Sequence, residues 1–243
     1  MRQFSDTAGS RAVQRRRRSP SVPIYHGDWL LLHELARDID SSLKRYAGGI
    51  LLDVGCGAKP YYKESYGVER WIGLDMADNP EADIHGTAYD IPLEAESVDT
   101  VLCTQVLEHL ETPNVAFASF YRVLRENGRL ILSVPQYWPL HEEPRDFFRY
   151  TTIGLRRVAV EAGFTVEEML LQGRGVAVAG QALNNAIICL GDTFPYKDHI
   201  VFKASKAPFY LAINLATSVL KPFLRTSRDV LNHVIVARKP SPV

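Results

Sequence analysis

The spacing of apolar residues along the chain alternates between a helical period and short strand-like runs. Leucine or isoleucine recurs at positions 31, 35, 39 and 43 behind Asp28, which predicts an amphipathic helix capped by this aspartate. Short apolar runs and helical patterns then follow one another to the end of the chain. The runs predict strands at 50–54, 71–75, 100–106, 129–134 and 164–171, a weak strand at 82–85 and a final strand at 231–238.

Two helices are predicted between the later strands. One begins with Thr112 as its cap and ends at 127–128, where Asn-Gly interrupts the pattern, and the other runs from 151 or 152 to Gly163. Strand, helix and strand in this order predict an α/β fold in which helices cover both faces of a parallel sheet. The pattern leaves the direction of the final strand open.

The length of the chain, 243 residues, suits one α/β domain with additions, which we assign to residues 23–243. Residues 1–22 are polar, basic and without periodicity, so a disordered tail is predicted there. Its Arg15–Arg18 run is expected to be solvated, with contact to phosphates of lipid or RNA as the alternative. Residues 174–228 are predicted to form a helical lid or insertion.

Charge and cysteine content narrow the class of protein. The formal net charge is zero, so the chain as a whole has no electrostatic preference for nucleic acid or for an anionic membrane. Cys56, Cys103 and Cys189 match neither a disulfide framework nor a metal-ligand spacing, which predicts a reducing, cytoplasmic compartment. No apolar segment follows the arginine run, so no export signal is expected.

A nucleoside site is indicated where the first strand ends. Gly55 and Gly57 allow a tight turn and a close approach of a ligand to the backbone, and Asp75 ends the next strand, where a carboxylate can accept ribose hydroxyls. Pro60 stands where a dinucleotide motif has its third glycine, which disfavours NAD. The sequence has no phosphate-binding G-x-x-x-x-G-K-[ST] motif either.

Four motifs in order resemble those of the class I S-adenosylmethionine-dependent methyltransferases, in particular the type 11 methyltransferase-domain group. They are "LLDVGCGAKPY", "WIGLDM", "TAYDIPLEAESVDTVLCTQVLEHL" and "YRVLRENGRLILSVP". The resemblance covers about residues 48–170. It implies a Rossmann-like, mostly parallel sheet of seven strands whose final strand is antiparallel, and S-adenosyl-L-methionine as the cofactor.

The same resemblance implies a role for individual residues at this cofactor. The first glycine-rich turn is expected to hold the aminocarboxypropyl end, the second strand the ribose and adenine, and the later loops the adenine amino group and the sulfonium. Asp53, Gly55, Cys56 and Gly57 are the residues at the aminocarboxypropyl end, and Asp75 and Met76 are those at the ribose and adenine. Asp90 with Ile91 is expected at the adenine amino group, and Gln105 at the sulfonium.

The acceptor of the methyl group is expected at the loop 134–151, which is rich in aromatic and charged residues and follows the fifth strand. His141 is the candidate base for a hydroxyl acceptor, and Asp146 orients that imidazole or replaces it. Arg149 and Tyr150 are expected to hold an anionic or sugar-like acceptor. Alternatively, Asp146 and Arg149 form a local ion pair, and Tyr150 packs in the core together with 147–148.

No metal ion is expected. The spacing of the candidate ligands Glu108, His109, His141 and Glu142 matches no ligand signature.

Two apolar segments lie within 174–228, and each is shorter than the roughly 20 apolar residues that span a bilayer. Helices that close over the acceptor site or form a homodimer face are the first interpretation. Peripheral contact with a membrane, or reception of a lipid-linked acceptor, is the second, because lysines and an arginine lie nearby at positions 203, 206, 221 and 225.

These features together predict a methyltransferase that acts on a small-molecule, glycan or lipid-linked acceptor, at oxygen. Methylation of nucleic acid is disfavoured because Cys103–Val106 lacks the Asn/Asp-Pro-Pro-aromatic signature of such enzymes. Two alternatives remain: a non-catalytic module that binds S-adenosylmethionine, and an RNA methyltransferase that uses the arginine tail.

Overall fold

A computed structural model describes residues 22–58, 66–194, 200–224 and 228–241. The basic tail up to residue 21, together with Pro60 and Arg225, lies outside the described residues. The strands are β1 Gly49–Val54, β2 Val68–Asp75, β3 Ile84–His85, β4 Val98–Thr104, β5 Leu124–Pro135, β6 Thr165–Gln172 and β7 Asn232–Arg238. The α-helices are α1 Trp29–Tyr46, α2 Pro113–Val123, α3 Thr152–Glu161, α4 Val176–Asp192 and α5 Ile200–Leu220, and a short 3-10 helix covers Leu107–His109.

The seven strands form a sheet in the order β3-β2-β1-β4-β5-β7-β6. The first five are parallel to their neighbours, whereas β7 runs antiparallel to β5 on one side and to β6 on the other. The predicted Rossmann-like sheet, with an antiparallel final strand, is therefore confirmed. The strand order also makes β7 a central strand, which explains its almost complete burial.

Neighbouring residues of β1 point to opposite faces of the sheet, as a pleated strand requires. Leu52 belongs to a core that packs against α2 and α3, where Phe117 and Phe120 are fully buried. Leu51 belongs to the core on the other face, against Ile39 of α1. The sheet is therefore covered on both faces, and a ligand can approach it at the ends of its strands.

The helix before β5 is shorter than predicted. α2 ends at Val123, and Leu124 is already extended, with φ −70° and ψ 135°. Two tertiary contacts take residues 124–128 into the strand: Arg125 Nη1 binds Asp99 Oδ2 at 2.7 Å, and the Asn127 N–H donates to Lys239 O at 2.8 Å. These partners lie far away in the sequence, so local helix propensity did not reveal them.

The two predicted caps lie where expected but do not cap through their side chains. Asp28 and Thr112 occupy the N-cap positions of α1 and α2, but neither side chain makes a capping hydrogen bond. Thr151, by contrast, caps α3, because its Oγ1 accepts the Gly154 N–H at 3.1 Å.

The two helices of the 174–228 segment have an inverted polarity. Their mutual interface buries amides, and Asn184 Nδ2 donates to Asn214 Oδ1 at 2.9 Å. Their outward faces carry apolar side chains, among them Leu183, Phe209 and Val219. Among the described residues, no helix is both long and apolar enough to cross a bilayer.

Candidate cofactor and acceptor site

The ends of four parallel strands bring the predicted cofactor residues to one edge of the sheet. Val54 of β1 pairs with Leu74 of β2 and with Cys103 of β4, and Asp75 pairs with His85 of β3. The residues that follow these pairs, from Gly55 onward, therefore meet at the carboxyl edge. This is the edge where open parallel sheets bind their ligands.

The turn after β1 depends on its two glycines. Gly55 has φ 74° and Gly57 has φ 53°, a left-handed backbone conformation that residues with a Cβ rarely adopt. The N–H groups of Gly55 and Cys56 both donate to Leu74 O, at 2.8 and 3.2 Å. The turn is therefore tied to the end of β2, directly before Asp75.

The carboxylate of Asp75 is buried and connects this turn to the loop after β2. Its Oδ2 accepts the Gly57 N–H at 2.9 Å and Asn79 Nδ2 at 3.0 Å, while its Oδ1 accepts the Met76 N–H at 2.8 Å. Asn79 Nδ2 also donates to Gly57 O at 2.9 Å. Asn79 is not among the site residues predicted from the sequence, although its place four residues after Asp75 is a usable signal. Any ribose bound here shares the carboxylate with these donors.

The remaining predicted cofactor residues differ in their exposure. Asp53 and Cys56 are buried, whereas 47% of Met76, directly after β2, is exposed. Asp90 is exposed on the loop after β3. The side chain of Ile91 lies in the core, and its N–H donates to Ser119 Oγ at 3.4 Å.

Gln105 follows β4 in a left-handed backbone conformation, with φ 53°. Its N–H donates to Ser133 O at 3.0 Å, and its Nε2 donates to Ser133 Oγ at 3.1 Å and to Asn232 Oδ1 at 3.0 Å. Asn232 in turn donates to Gln172 Oε1 at 2.5 Å. Strained residues of this kind persist only where their surroundings hold them, which is typical of functional sites.

Asp146 and Arg149 form a partly buried ion pair in the loop after β5. Nη1 and Nη2 of Arg149 bind the two carboxylate oxygens at 2.6 and 2.7 Å. The backbone N–H of His141 donates to Asp146 Oδ2 at 3.0 Å. Burial alone raises the pKa of this carboxyl, but the hydrogen bonds from Arg149 and His141 outweigh it and lower the pKa below its usual value.

The imidazole of His141 has two acceptors at Nδ1, which are Asp146 Oδ2 at 3.1 Å and Pro139 O at 3.2 Å. Since neither oxygen can donate, Nδ1 carries the proton in the neutral ring and Nε2 is left as an acceptor. Burial lowers the pKa of His141, against the attraction of the Asp146 carboxylate. His141 and Asp146 therefore lie side by side, and the role of Asp146 in orienting the imidazole stays a prediction.

Tyr150 lies in the core, which favours the packing alternative for this residue. Its hydroxyl is 3.5 Å from Leu107 O, and burial raises its pKa. The rings of Phe147 and Phe148 remain partly exposed, while their N–H groups both donate to Glu108 O, at 2.9 and 3.2 Å. The two phenylalanines therefore anchor the loop through their backbone and are not core side chains.

Arg145 connects the acceptor loop to the cofactor side. Its Nη1 lies 3.8 Å from Met76 Sδ, and its carbonyl oxygen lies 2.5 Å from His109 Nδ1. One ligand atom from each of Glu108, His109 and His141 lies within 4.8 Å of the others. Ligand spacing could not detect this cluster, because its members come from two distant loops that meet only in the folded sheet.

Comparison with known proteins agrees with this architecture. Residues 52–132 match the sequence profile of the methyltransferase domain. Over 174 residues the chain is 32% identical to a probable S-adenosylmethionine-dependent methyltransferase of Mycolicibacterium smegmatis, a match that covers 61% of this chain and 65% of that protein. The chain thus spans slightly less than two thirds of the length of this curated relative.

Two solved structures share the fold at low sequence identity. The cyclase SpnF has a TM-score of 0.56 at 18% identity, over 88% of this chain and 83% of that one. Haemonchus contortus phosphoethanolamine N-methyltransferase 2, in complex with S-adenosyl-L-methionine, has a TM-score of 0.53 at 16% identity, over 90% of this chain and 57% of that one. The profile match and the curated relative identify a methyltransferase domain of the S-adenosylmethionine-dependent kind in this chain, and the two solved structures share its fold.

Proposed function

We propose that the chain binds S-adenosyl-L-methionine at the carboxyl edge of β1 and β2 and transfers its methyl group to an oxygen of the acceptor. The observation that carries this proposal is the connection from Asp75 to the Gly55–Gly57 turn. It offers a carboxylate for hydroxyls and a bare backbone for close approach, with Met76 exposed beside it as an apolar contact. The bound cofactor supplies an activated methyl group on a sulfonium.

The residues of the acceptor loop have distinct proposed roles. His141 accepts the proton of the acceptor hydroxyl at Nε2, because Nδ1 donates to Pro139 O and lies beside Asp146. Asp146 orients the imidazole, and Arg149 fixes Asp146. Tyr150 supports the loop from below through its contact with Leu107 O. Alignment of the acceptor and exclusion of water supply the remaining acceleration.

Among the small-molecule, glycan and lipid-linked acceptors that the sequence allows, we propose a lipid-linked one. The inverted polarity of α4 and α5 supports this choice, since buried amides and outward apolar side chains suit an apolar environment better than water. Trp138 of the acceptor loop packs against the cluster formed with Ala177 and Val178 of α4. The helical segment and the acceptor loop are thus neighbours.

Calorimetry with S-adenosylmethionine and its demethylated product tests the cofactor side. Wild-type protein and His141→Ala are expected to bind the cofactor. Asp75→Ala is expected to lose binding, because the Asp75 carboxylate accepts the Gly57 and Met76 N–H groups and so holds the turn in place. Equal loss in both variants would contradict the division into cofactor and acceptor regions. Transfer of label from methyl-labelled cofactor to a lipid extract, absent with His141→Ala, then tests the acceptor side.

The two alternative functions predict other results. A non-catalytic module binds the cofactor but transfers no label to any extract. An RNA methyltransferase loses RNA affinity, and the salt dependence of that affinity, when residues 1–20 are deleted. Because the arginine run lies outside the described residues, this alternative is supported by the sequence alone.

A further inference from the structure

Two histidines and a carboxylate that no cofactor role uses converge beside the acceptor loop. Glu108 and His109 belong to the 3-10 helix after β4, and His141 belongs to the loop after β5. One ligand atom from each lies within 4.8 Å of the others. The Glu108 side chain is fully buried and both imidazoles are largely buried, so this is not a chance grouping of solvated surface residues.

The hydrogen bonds of the two imidazoles leave the same nitrogen available on each ring. His109 Nδ1 lies 2.5 Å from Arg145 O, and a carbonyl oxygen can only accept, so Nδ1 carries the proton. His141 Nδ1 lies against Asp146 Oδ2 and Pro139 O in the same way. In the neutral form of both rings, Nε2 is therefore the lone-pair nitrogen. Carbonyl and carboxylate partners at the other nitrogen are the usual outer-shell contacts of metal-binding histidines.

Hydrogen bonding within the cluster does not account for the arrangement of His109. Its Nε2 lies 3.8 Å from Glu108 Oε1 and 3.7 Å from Glu142 Oε2, which is beyond hydrogen-bond distance in both cases. The rings of His109 and His141 meet edge to face, with centroids 4.8 Å apart. Two carboxylates thus lie close to one imidazole nitrogen, at distances longer than a hydrogen bond.

We propose that Glu108, His109 and His141 bind a divalent transition-metal ion, with Zn²⁺ as the ion that suits them best. Two imidazoles and one carboxylate are a known ligand set for zinc sites that keep an open position. Bonds of about 2.0–2.1 Å separate tetrahedral ligand atoms by about 3.4 Å, so atoms that lie up to 4.8 Å apart must approach by up to about 1.4 Å. Glu142 is the neighbouring carboxylate that can supply a fourth ligand.

The site suggests a role that depends on the function proposed above. Arg145 contacts Met76 on the cofactor side and His109 on the metal side, so an acceptor oxygen on the open position lies next to the cofactor region. A bound ion would lower the pKa of such an oxygen, so that its proton passes to water before methyl transfer, and His141, with Nε2 as a ligand, would no longer serve as the base. Binding of the ion itself does not require that methyl transfer occurs.

Calorimetric titration of metal-stripped, tag-free protein with Zn²⁺ alone tests the proposal. A Cys189→Ser background removes the exposed thiol as a competing ligand. One Zn²⁺ per chain is expected, with Mg²⁺ bound far more weakly because it prefers oxygen ligands. His109→Ala and His141→Ala are each expected to weaken binding at least about 100-fold, and Asp146→Asn about 10-fold through the outer shell.

The exposed His33 provides the matched control, and His33→Ala is expected to bind Zn²⁺ as the parent does. Circular dichroism of each variant verifies that it is folded. Equal Zn²⁺ affinity in the parent, His109→Ala and His141→Ala overturns the proposal, and so does a folded parent that binds no Zn²⁺. Titration of the same samples with S-adenosylmethionine distinguishes failure of the metal-site proposal from failure of the proposed function. Protein that binds the cofactor but not Zn²⁺ contradicts only the metal-site proposal.

Discussion

The guanidinium of Arg149 binds both carboxylate oxygens of Asp146, although only 1% of the Asp146 side chain is exposed. Such paired, charge-assisted bonds fix orientation as well as distance. Arg149 also donates to the carbonyl oxygens of Trp138 and Pro139, both at 3.2 Å. The pair therefore joins the beginning of the acceptor loop to its end, on either side of His141.

Replacing Arg149 by alanine is expected to destabilise the protein by about 3 kcal/mol, because it leaves a buried carboxylate without its cation. Urea unfolding at neutral pH measures the difference. The matched control is Arg157→Ala, since Arg157 binds Glu161 at 2.6 Å in a pair that is exposed to solvent. That change should lie within experimental error. Similar losses of unfolding free energy in both variants would show that the Asp146–Arg149 pair stabilises the fold no more than an exposed ion pair does.

His233 gives the stability of the fold a defined dependence on pH. It lies within β7, and burial lowers its pKa to about 4. Above the unfolded pKa of about 6.5, both states are neutral and the stability is complete. As the pH falls from about 6.5 to 4, the unfolded chain takes up a proton that the folded chain excludes, so stability is lost over this range, by up to about 3 kcal/mol.

His233→Gln tests this assignment because glutamine keeps a partner for Thr152 Oγ1, which lies 2.9 Å from His233 Nε2, but does not titrate. Unfolding measured from pH 7 to 4 should show a shallower loss of stability than in the wild type. His33→Gln, at an exposed position, should reproduce the wild-type slope. An unchanged slope in His233→Gln would assign the pH dependence to other groups.

Asn79 is expected to control cofactor affinity without touching the reacting atoms. Its Nδ2 holds Asp75 Oδ2 at 3.0 Å and Gly57 O at 2.9 Å, so Asn79→Ala releases both the carboxylate and the turn. Loss of two hydrogen bonds that organise the site should weaken binding of S-adenosylmethionine by about 10-fold or more, as calorimetry would measure. Asn114→Ala, at an exposed position of α2, is the control. Equal affinity in both variants would contradict the role of Asn79.

Local sequence was sufficient for the sheet but not for the contacts across it. The strands and the Gly55–Gly57 turn follow from periodicity and from residues close in sequence, and the structure confirms the strands. Gln105 meets Asn232 only because β5 and then β7 lie beside β4, an order that no local pattern contains. The early end of α2 has the same cause, because the partner of Arg125 is Asp99 on β4. The cluster of Glu108 with two histidines likewise exists only once two loops meet at the same edge.

The proposal of a lipid-linked acceptor depends on the apolar outward face of the helical segment 174–228. Phe209 is 64% exposed and Phe223 is 81% exposed, on and just after α5. Burying each ring in an apolar phase is worth about 2 kcal/mol, so changing both to glutamate removes a large part of any membrane affinity. Wild-type protein is therefore expected to float with phospholipid vesicles in a density gradient, whereas the Phe209→Glu, Phe223→Glu double variant stays in the dense fraction.

Ile153 offers the control, because it is also 81% exposed but belongs to α3, on the other part of the fold. Ile153→Glu should float as the wild type does, and all three proteins should bind S-adenosylmethionine equally. A homodimer face is the competing interpretation of the same surface. Light scattering would then show a wild-type dimer and a monomeric double variant, and the wild type would not float with vesicles. This result would identify the apolar face as a subunit interface and not as a lipid contact.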